Sequence, residues 1–562
     1  MTTAAAPTTA PQRSGLIRSS MVYAGVTMVS RAMGFFRDLA VSYFMGASAT
    51  FAADAFNTAF AFPNLFRRIF AEGAFAAAFV PAYSKALEQD GEEKADVLAG
   101  DAMALLAAIT IALSVALALA MPWLMYLMRP GFAANPAKFH LAILLTQITI
   151  WYLPCMAVYA HLSGVLNARN RFVLSAGAPI LLNICTLIAV LPTKSPVEAA
   201  TWASWGVLAA GVSQAAVLVW GVRKSGAKVH LSSLRFTPEI IALVRRAVPG
   251  AIAASATQVN IFISGMLVSQ VNGAASWLAA ADRLYQLPLG LVGVAIGVAL
   301  LPRLSRAVHG KDAATAQGTM DEALTFSLAL ALPAAAALAA IPVFLIDGLY
   351  TRGQFTSYDA LQTGRALFFY GLGTPAFVLS QLYSRAFFAR QDTKSPMRFA
   401  LVSVALNIVL GIALVFTVGF QGIACATAIA AWVNVGQMAF TLSRRGHYSP
   451  SAKAWSRILR MLAASLALAA ILALAAHFRR DIEALFAGFH VRRLIGPKEV
   501  AILLTVLVGG ALYPPLLFAF GGLKLSEVKA AFGRPPKVTL SEDLEAVVEQ
   551  DLGKTPSGPD LL

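Results

Sequence analysis

Arg31, Arg37, Arg67, Arg68 and Arg283 lie within long apolar stretches of the 562-residue chain, together with the acids Asp38, Asp54, Glu72 and Asp282. A charged side chain at the centre of a bilayer costs about 2.5–3.5 kcal/mol on insertion scales, so such residues must face a cavity or a partner. Some could do no more than neutralise each other. Arg68 and Glu72 stand one helical turn apart, Arg31 and Asp38 share a helix face at a spacing of seven, and Asp282 is placed to hold Arg283 or another arginine. The arginines nevertheless outnumber the acids around them. Guanidinium stays protonated and presents a planar fork of donors that matches phosphate oxygens two at a time. Several around one cavity suit an anion such as a diphosphate. A carrier of organic cations would instead need carboxylates to predominate.

The segments holding these charges read as membrane helices. Hydrophobic residues make up 58% of the chain and charged ones 13%, where a soluble domain carries about 25%. Uninterrupted apolar runs recur at Leu98–Trp123, Val173–Leu191, Phe399–Val418, Met461–Ala476 and Val500–Phe520. About twenty helical residues cross a hydrocarbon core of roughly 30 Å. Counting all such stretches gives an expectation of about fourteen helices, near 18–45, 52–86, 97–127, 140–166, 173–191, 200–221, 238–271, 276–306, 320–347, 362–388, 396–418, 420–442, 456–477 and 499–520. The fold class is therefore an all-α polytopic membrane protein. The first, second, seventh and eighth stretches are the least purely apolar, which marks them as lining water. Pro63 and Pro288 are expected to break their helices beside Gly34, Gly46, Gly73, Gly290, Gly293 and Gly297.

An internal repeat organises these stretches. Val80–Ala86 (Val-Pro-Ala-Tyr-Ser-Lys-Ala) resembles Leu301–Ala307 (Leu-Pro-Arg-Leu-Ser-Arg-Ala), and 302 − 81 = 221. Pro154 and Pro375, and the Ala-Arg pairs at 168–169 and 389–390, keep the same offset, while Arg129–Phe132 echoes Arg352–Phe355 at nearly that spacing. The offset covers six expected helices, an even number, so the two copies run parallel. Parallel repeats of this kind belong to transporters that rock two lobes about a site between them. The expected division is a disordered cytoplasmic N-terminus at 1–17, a first lobe at 18–221, a second at 222–442, two further helices within 443–520, and a cytoplasmic tail at 521–562.

The formal net charge of +16 comes from Lys and Arg at the ends of apolar segments. That pattern orients a membrane protein, with both termini cytoplasmic, and gives no nucleic-acid surface. Arg479, Arg480, Arg492 and Arg493 run against the orientation, so a short interfacial helix or a different arrangement of the last two spans is expected there. Three cysteines without paired spacing and seven scattered histidines give neither a disulfide framework nor a metal site. No nucleotide loop or nucleophile motif occurs, which leaves a non-enzymatic protein with no cofactor, driven by an ion gradient, the membrane potential or downhill flow.

The segments Ser30–Asp38 (Ser-Arg-Ala-Met-Gly-Phe-Phe-Arg-Asp), Ala53–Phe56 and Phe62–Phe75 closely resemble the MurJ/MviN lipid II flippases, above all in the Arg-Arg-Ile-Phe-Ala-Glu-Gly-Ala-Phe run. Ala281–Leu284, Gly293–Gly297 with Leu301 and Pro302, and Arg390–Pro396 extend the resemblance over about residues 18–520. It implies a fourteen-helix member of the multidrug/oligosaccharidyl-lipid/polysaccharide exporter superfamily in the bacterial inner membrane, serving peptidoglycan biosynthesis and cell shape. It implies lipid II as substrate, with Arg31, Arg37, Arg67 and Arg283 at the diphosphate, Asp54 important, Arg68 less clearly assigned, and the last two helices forming a groove for the lipid tail. Membrane lipids and the cell-wall synthesis machinery are the other implied partners. Two departures matter. Many relatives carry a lysine where Ala61 stands, and Gly411 replaces a carboxylate one turn after Asn407, which argues against sodium coupling. A flippase for another polyprenyl-diphosphate oligosaccharide and a non-transporting scaffold for cell-wall synthases are the competing readings.

Overall fold

The computed structural model describes residues 13–70, 74–169, 171–230, 234–310, 312–488 and 496–522. Glu72, Arg492, Arg493, the first twelve residues and the expected tail beyond Gly522 lie outside them, as do the side chains of Arg67 and Arg68 on an otherwise described helix. Among the described residues every regular element is helical and no strand occurs.

The first repeat comprises α1 (Arg13–Met45), α2 (Ala52–Phe70), α3 (Ala74–Gln89), α4 (Glu92–Met128), a 3₁₀ turn (Pro130–Ala134), α5 (Pro136–Thr149), α6 (Tyr152–Ala168), α7 (Phe172–Gly177), α8 (Pro179–Val190) and α9 (Pro196–Lys224). The second comprises α10 (Pro238–Val268), α11 (Ala274–His309), α12 (Ala313–Ala340), α13 (Pro342–Tyr350), α14 (Ser357–Phe388), α15 (Lys394–Val418) and α16 (Gln421–Arg444). After them come α17 (Ala452–His477), α18 (Arg479–Leu485) and α19 (Pro497–Ala519). The starts follow local chemistry. Ser195, Thr237, Thr356 and Ser451 each accept a backbone N–H in the first turn, and proline occupies an opening position of α5, α8, α9, α10, α13 and α19, where its missing N–H has no helical partner to lose.

Nine helical stretches among the described residues are long and apolar enough to cross a bilayer. The outer helices turn large apolar side chains outward, as with Leu119 and Trp123 on α4, Val409 and Phe416 on α15, and Leu466 and Leu474 on α17. In water that surface would drive aggregation; against lipid it is the expected exterior. Among the described residues, the helices outside the nine include α10 and also α1, α2 and α11, which carry most of the charges noted above.

The helix contacts recur at the repeat offset. In the first half α1 packs on α8, α2 on α5, α6 on α9 and α8 on α9. In the second, α10 packs on α15, α11 on α14, α14 on α16 and α15 on α16. Contacts between the halves run mainly through α2 with α10 and α11, and through α3 and α4 with α10.

Two sequence expectations change. The helices do not break at proline: α2 continues through Pro63 and α11 through Pro288. Of the contrary arginines, Arg479 and Arg480 lie on α18, a short helix as one of the two alternatives had it, while Arg492 and Arg493 lie outside the described residues. Arg479 pairs with Asp347 and with Glu483 at 2.6 Å, and its guanidinium lies over the Phe344 ring at 5.0 Å. Arg479 is thus a fastener between the C-terminal helices and α13, which releases it from the orientation count.

Candidate functional site

A cavity of about 620 Å³ lies between the two repeats. Its wall comes chiefly from α1, α2, α10 and α11, the four stretches the sequence marks as water-lining. Helical spacing sets the charges at different depths. Measured from the helix ends at Met45 and Ala274, with 1.5 Å per residue, Arg37 lies about 12 Å and Arg283 about 14 Å from the same end. Those two levels match, and the side chains meet.

Asp38 is the meeting point. Arg37 donates to Asp38 Oδ1 through Nη2 at 2.6 Å and Nε at 3.1 Å, while Arg283 Nε donates to Asp38 Oδ2. One carboxylate therefore holds two guanidiniums and ties α1 to α11. Arg37 also lies over the Phe60 ring at 5.5 Å, an arrangement that steadies the cation without consuming donors. Each arginine keeps further N–H groups for an anion. Asp282 also lines the cavity and accepts from the amide of Gln286.

These contacts revise the pairings read from spacing. Asp38 joins Arg37 and Arg283 rather than Arg31, because the shared helix face brings Arg31 and Asp38 near in register but α11 supplies a closer cation. Arg31 lies deeper, about 21 Å from Met45 by helical rise, and is not among the cavity-lining residues. It crosses to α11 at Gly290, where an added Cβ would fall 1.6 Å from Arg31 Nη1. Ala61 lines the cavity, and Asn260, Asn407 and Thr427 form a neutral hydrogen-bonded cluster on its second-repeat side.

Asp54 plays a different part. Fully buried, it accepts from Lys138 Nζ at 2.7 Å, from the backbone N–H of Gly273 at 2.8 Å and of Ser276 at 3.1 Å, and from the Ser276 hydroxyl at 2.9 Å. Gly273 and Ser276 form the N-terminus of α11, whose unpaired N–H groups and dipole favour a carboxylate. Asp54 thus joins the repeats at one end of the cavity. Asp359 does so a second time. It accepts from Ser48 N at 3.0 Å, from the Ser48 hydroxyl and from Trp277 Nε1 at 2.8 Å, while capping its own helix through Thr356. Asn272 links the two clusters, accepting from Lys138 Nζ and donating to Ser48 O, both at 3.0 Å. The Gln354 N–H also donates to Tyr43 O at 2.9 Å. With the Gly131 N–H donating to the Ser269 hydroxyl at 3.1 Å, this end is shut.

Lys138, Asp359, Ser48 and Trp277 carry this closure and were missed as site residues in the sequence. A signal existed. Lys138 and Asp359 are 359 − 138 = 221 apart, as are Ser48 and Ser269, so the repeat offset itself marks positions where the halves meet.

The comparisons agree with this architecture. The family model described as lipid II flippase MurJ matches residues 41–495. A protein of Rhizobium meliloti (strain 1021) named "Probable lipid II flippase MurJ" is 37% identical over 525 residues, covering 92% of this chain and 96% of that one. A Burkholderia cenocepacia protein named "Lipid II flippase MurJ" is 31% identical, with 81% and 89% covered. Among solved structures, "Lipid II flippase MurJ, inward closed conformation" matches with TM-score 0.73 at 26% identity over 89% of this chain and 98% of that chain. An inward-facing MATE-family transporter of the MOP superfamily, 13% identical with TM-score 0.63 over 75% of this chain and 98% of that one, shares the fold. Matched along most of its length by the family model and by full-length relatives, the chain belongs to the lipid II flippase MurJ family.

Proposed function

We propose that the chain is a flippase that carries lipid II, the undecaprenyl-diphosphate-linked peptidoglycan precursor, from the cytoplasmic to the periplasmic leaflet of the bacterial inner membrane. The observation that carries this reading is the Arg37–Asp38–Arg283 node in a cavity between two parallel repeats. Arg37 and Arg283 present forked donors to a diphosphate, and Asp38 holds both forks in place before cargo arrives. A diphosphate on the remaining N–H groups draws the two guanidiniums away from Asp38, so its arrival loosens the tie between α1 and α11. Arg31 continues the positive path deeper, with Asp282 as a charge partner; by the family resemblance Arg67 and Arg68 serve the diphosphate as well, with Glu72 as a further charge partner. Asp54 acts by closing the periplasmic end.

Transport then follows from population shift. The closure at Asp54 and Asp359 favours the state open toward the cytoplasm, and cargo that binds the other state better moves the balance outward. The two repeats act as lobes of six spans each, α17 and α19 complete fourteen spans and form the groove for the polyprenyl tail, and both chain termini lie in the cytoplasm. Membrane lipids and the cell-wall synthesis machinery surround the transporter in use. The chemistry is movement without bond making, so the protein is a transporter and not an enzyme.

Complementation tests the proposal. Expressed in a strain depleted of its own lipid II flippase, the parent chain should restore growth, while Arg31→Ala and Arg283→Ala should not, at equal membrane levels. A parent that reaches the membrane and fails to rescue would overturn the flippase assignment. Full rescue by both arginine variants would point to a scaffold instead.

A further inference from the structure

Arg129 stands at the closed end of the same cavity and has no role in the reading so far. It follows the last residue of α4, and its side chain lines the cavity beside Thr58 and Gly265. By helical rise, Gly265 is about 5 Å from the end of α10, where Arg37 and Arg283 are about 12–14 Å from the ends of their helices. Arg31, still deeper, completes a series of guanidiniums at successive levels between the repeats.

The partners of Arg129 differ from those of the inner pair. Arg37 and Arg283 share a carboxylate. Arg129 donates through Nε to the Thr58 hydroxyl at 3.3 Å and through Nη1 to the Met128 carbonyl at 3.0 Å, both neutral acceptors. The carboxylate of its neighbourhood, Asp54, is already taken by Lys138 and the N-terminus of α11. A guanidinium has five N–H donors, so three remain, on a side chain that faces the cavity. Its seat is cut to fit: a Cβ on Gly265 would lie 1.8 Å from Arg129 Nη1. A partly buried cation with open donors and no carboxylate of its own is an anion site waiting for a ligand.

We infer that Arg129 is the outermost cargo-binding residue, taking an oxyanion of the substrate as the cavity opens at the Asp54 end. This rests on the flippase reading above. Phosphate oxygens and the carboxylates of the peptide head group share the required chemistry. Arg129 then receives the anion that Arg37 and Arg283 release, and its lack of an internal carboxylate keeps it vacant for that purpose.

Binding to the purified chain in nanodiscs tests the inference, with lipid II and undecaprenyl diphosphate as probes. Arg129→Gln should weaken lipid II about tenfold, the loss expected for one charge-assisted contact. Arg129→Lys, which keeps the charge, should fall between the parent and Arg129→Gln. Gly353→Ala, whose Cβ would meet Tyr43 O at 2.3 Å, disturbs the contact between repeats without touching Arg129, and should stay within about threefold of the parent. Weakening of both probes assigns Arg129 to the diphosphate; weakening of lipid II alone assigns it to the head-group carboxylates. Unchanged binding in Arg129→Gln, with Arg37→Gln weakened, overturns the inference and leaves the flippase reading intact. Equal losses in Arg129→Gln and Gly353→Ala also overturn it, because the residue would then act only in closure. A parent that does not bind lipid II overturns the flippase reading itself.

Discussion

The two repeats close the same end of the cavity with opposite charges at matching positions. In the first, residue 138 is a lysine whose ammonium is buried against Asp54. In the second, 221 residues on, residue 359 is an aspartate that caps its own helix and receives Ser48 and Trp277. The first closure is thus a buried ion pair set on a helix N-terminus, and the second a carboxylate satisfied by neutral donors. A duplicated backbone preserves where the halves touch. It leaves open how each contact is made, because any arrangement that satisfies the buried polar groups will close the seam. The consequence is unequal fragility: a buried charge that loses its partner has nowhere to turn, whereas neutral donors are less costly to strand.

The largest expected effect is at the ion pair. Asp54→Ala should destabilise the closed end by about 3–5 kcal/mol, since it strands the Lys138 ammonium and the N–H groups of α11. Lys138→Met should cost less, because Asp54 keeps three donors from Gly273 and Ser276. The double change should cost less than the sum of the two. Labelling of a cysteine at Ser264, on the cavity wall, by a membrane-impermeant maleimide reads the opening. A Lys138→Met variant as open as Asp54→Ala would break the distinction drawn here.

Asp359→Asn should open the same end by about 1.5–3 kcal/mol, the value of hydrogen bonds to a charged group. The same labelling assay, run beside Asp54→Ala, ranks the two closures directly. If Asp359→Asn proved the more damaging, the neutral closure would be the principal one.

A smaller difference separates two glycines of this seam. A Cβ at Gly131 would lie 2.2 Å from Ser269 O, and one at Gly353 would lie 2.3 Å from Tyr43 O. Gly353 alone of the two also has a left-handed backbone, with φ +56°. Both alanine variants should favour opening, and Gly353→Ala should be worse by about 1–2 kcal/mol, measurable as a further drop in thermal midpoint.

The smallest effect lies at the far end, in the α14–α15 connection. Burial alone would raise the Asp392 carboxyl, but hydrogen bonds from Ser395 and the Arg445 guanidinium outweigh it and hold the group at about 2. With the folded value below the unfolded one of about 3.9, the contact stabilises above that pH and is lost as pH falls toward 2. The pair is partly solvated, so Asp392→Asn should cost under about 1 kcal/mol and should flatten the acid side of the stability profile without altering opening at the other end.

Much of this molecule is legible in the residues themselves. The apolar runs, the 221-residue offset and the excess of arginines follow from composition and spacing, because hydrocarbon imposes its demands on each helix separately. The resemblance around Arg67 and Arg68 points to the family without any coordinates. What spacing misjudged was partnership. Arg31 and Asp38 share a helix face, yet Asp38 serves Arg37 and Arg283, since the choice lies with α11, more than two hundred residues away. Asp54 reads as one more charge in a helix until the N-terminus of α11 is brought against it. Nothing in the sequence near Arg129 or Lys138 sets their surroundings, and only the packing of the repeats turns one toward the cavity and buries the other. The sequence by itself determined which helices form and which of them must face water, because those are one-helix properties. Which carboxylate meets which cation was decided by the tertiary structure alone, since that depends on the rotation and depth at which separate helices pack.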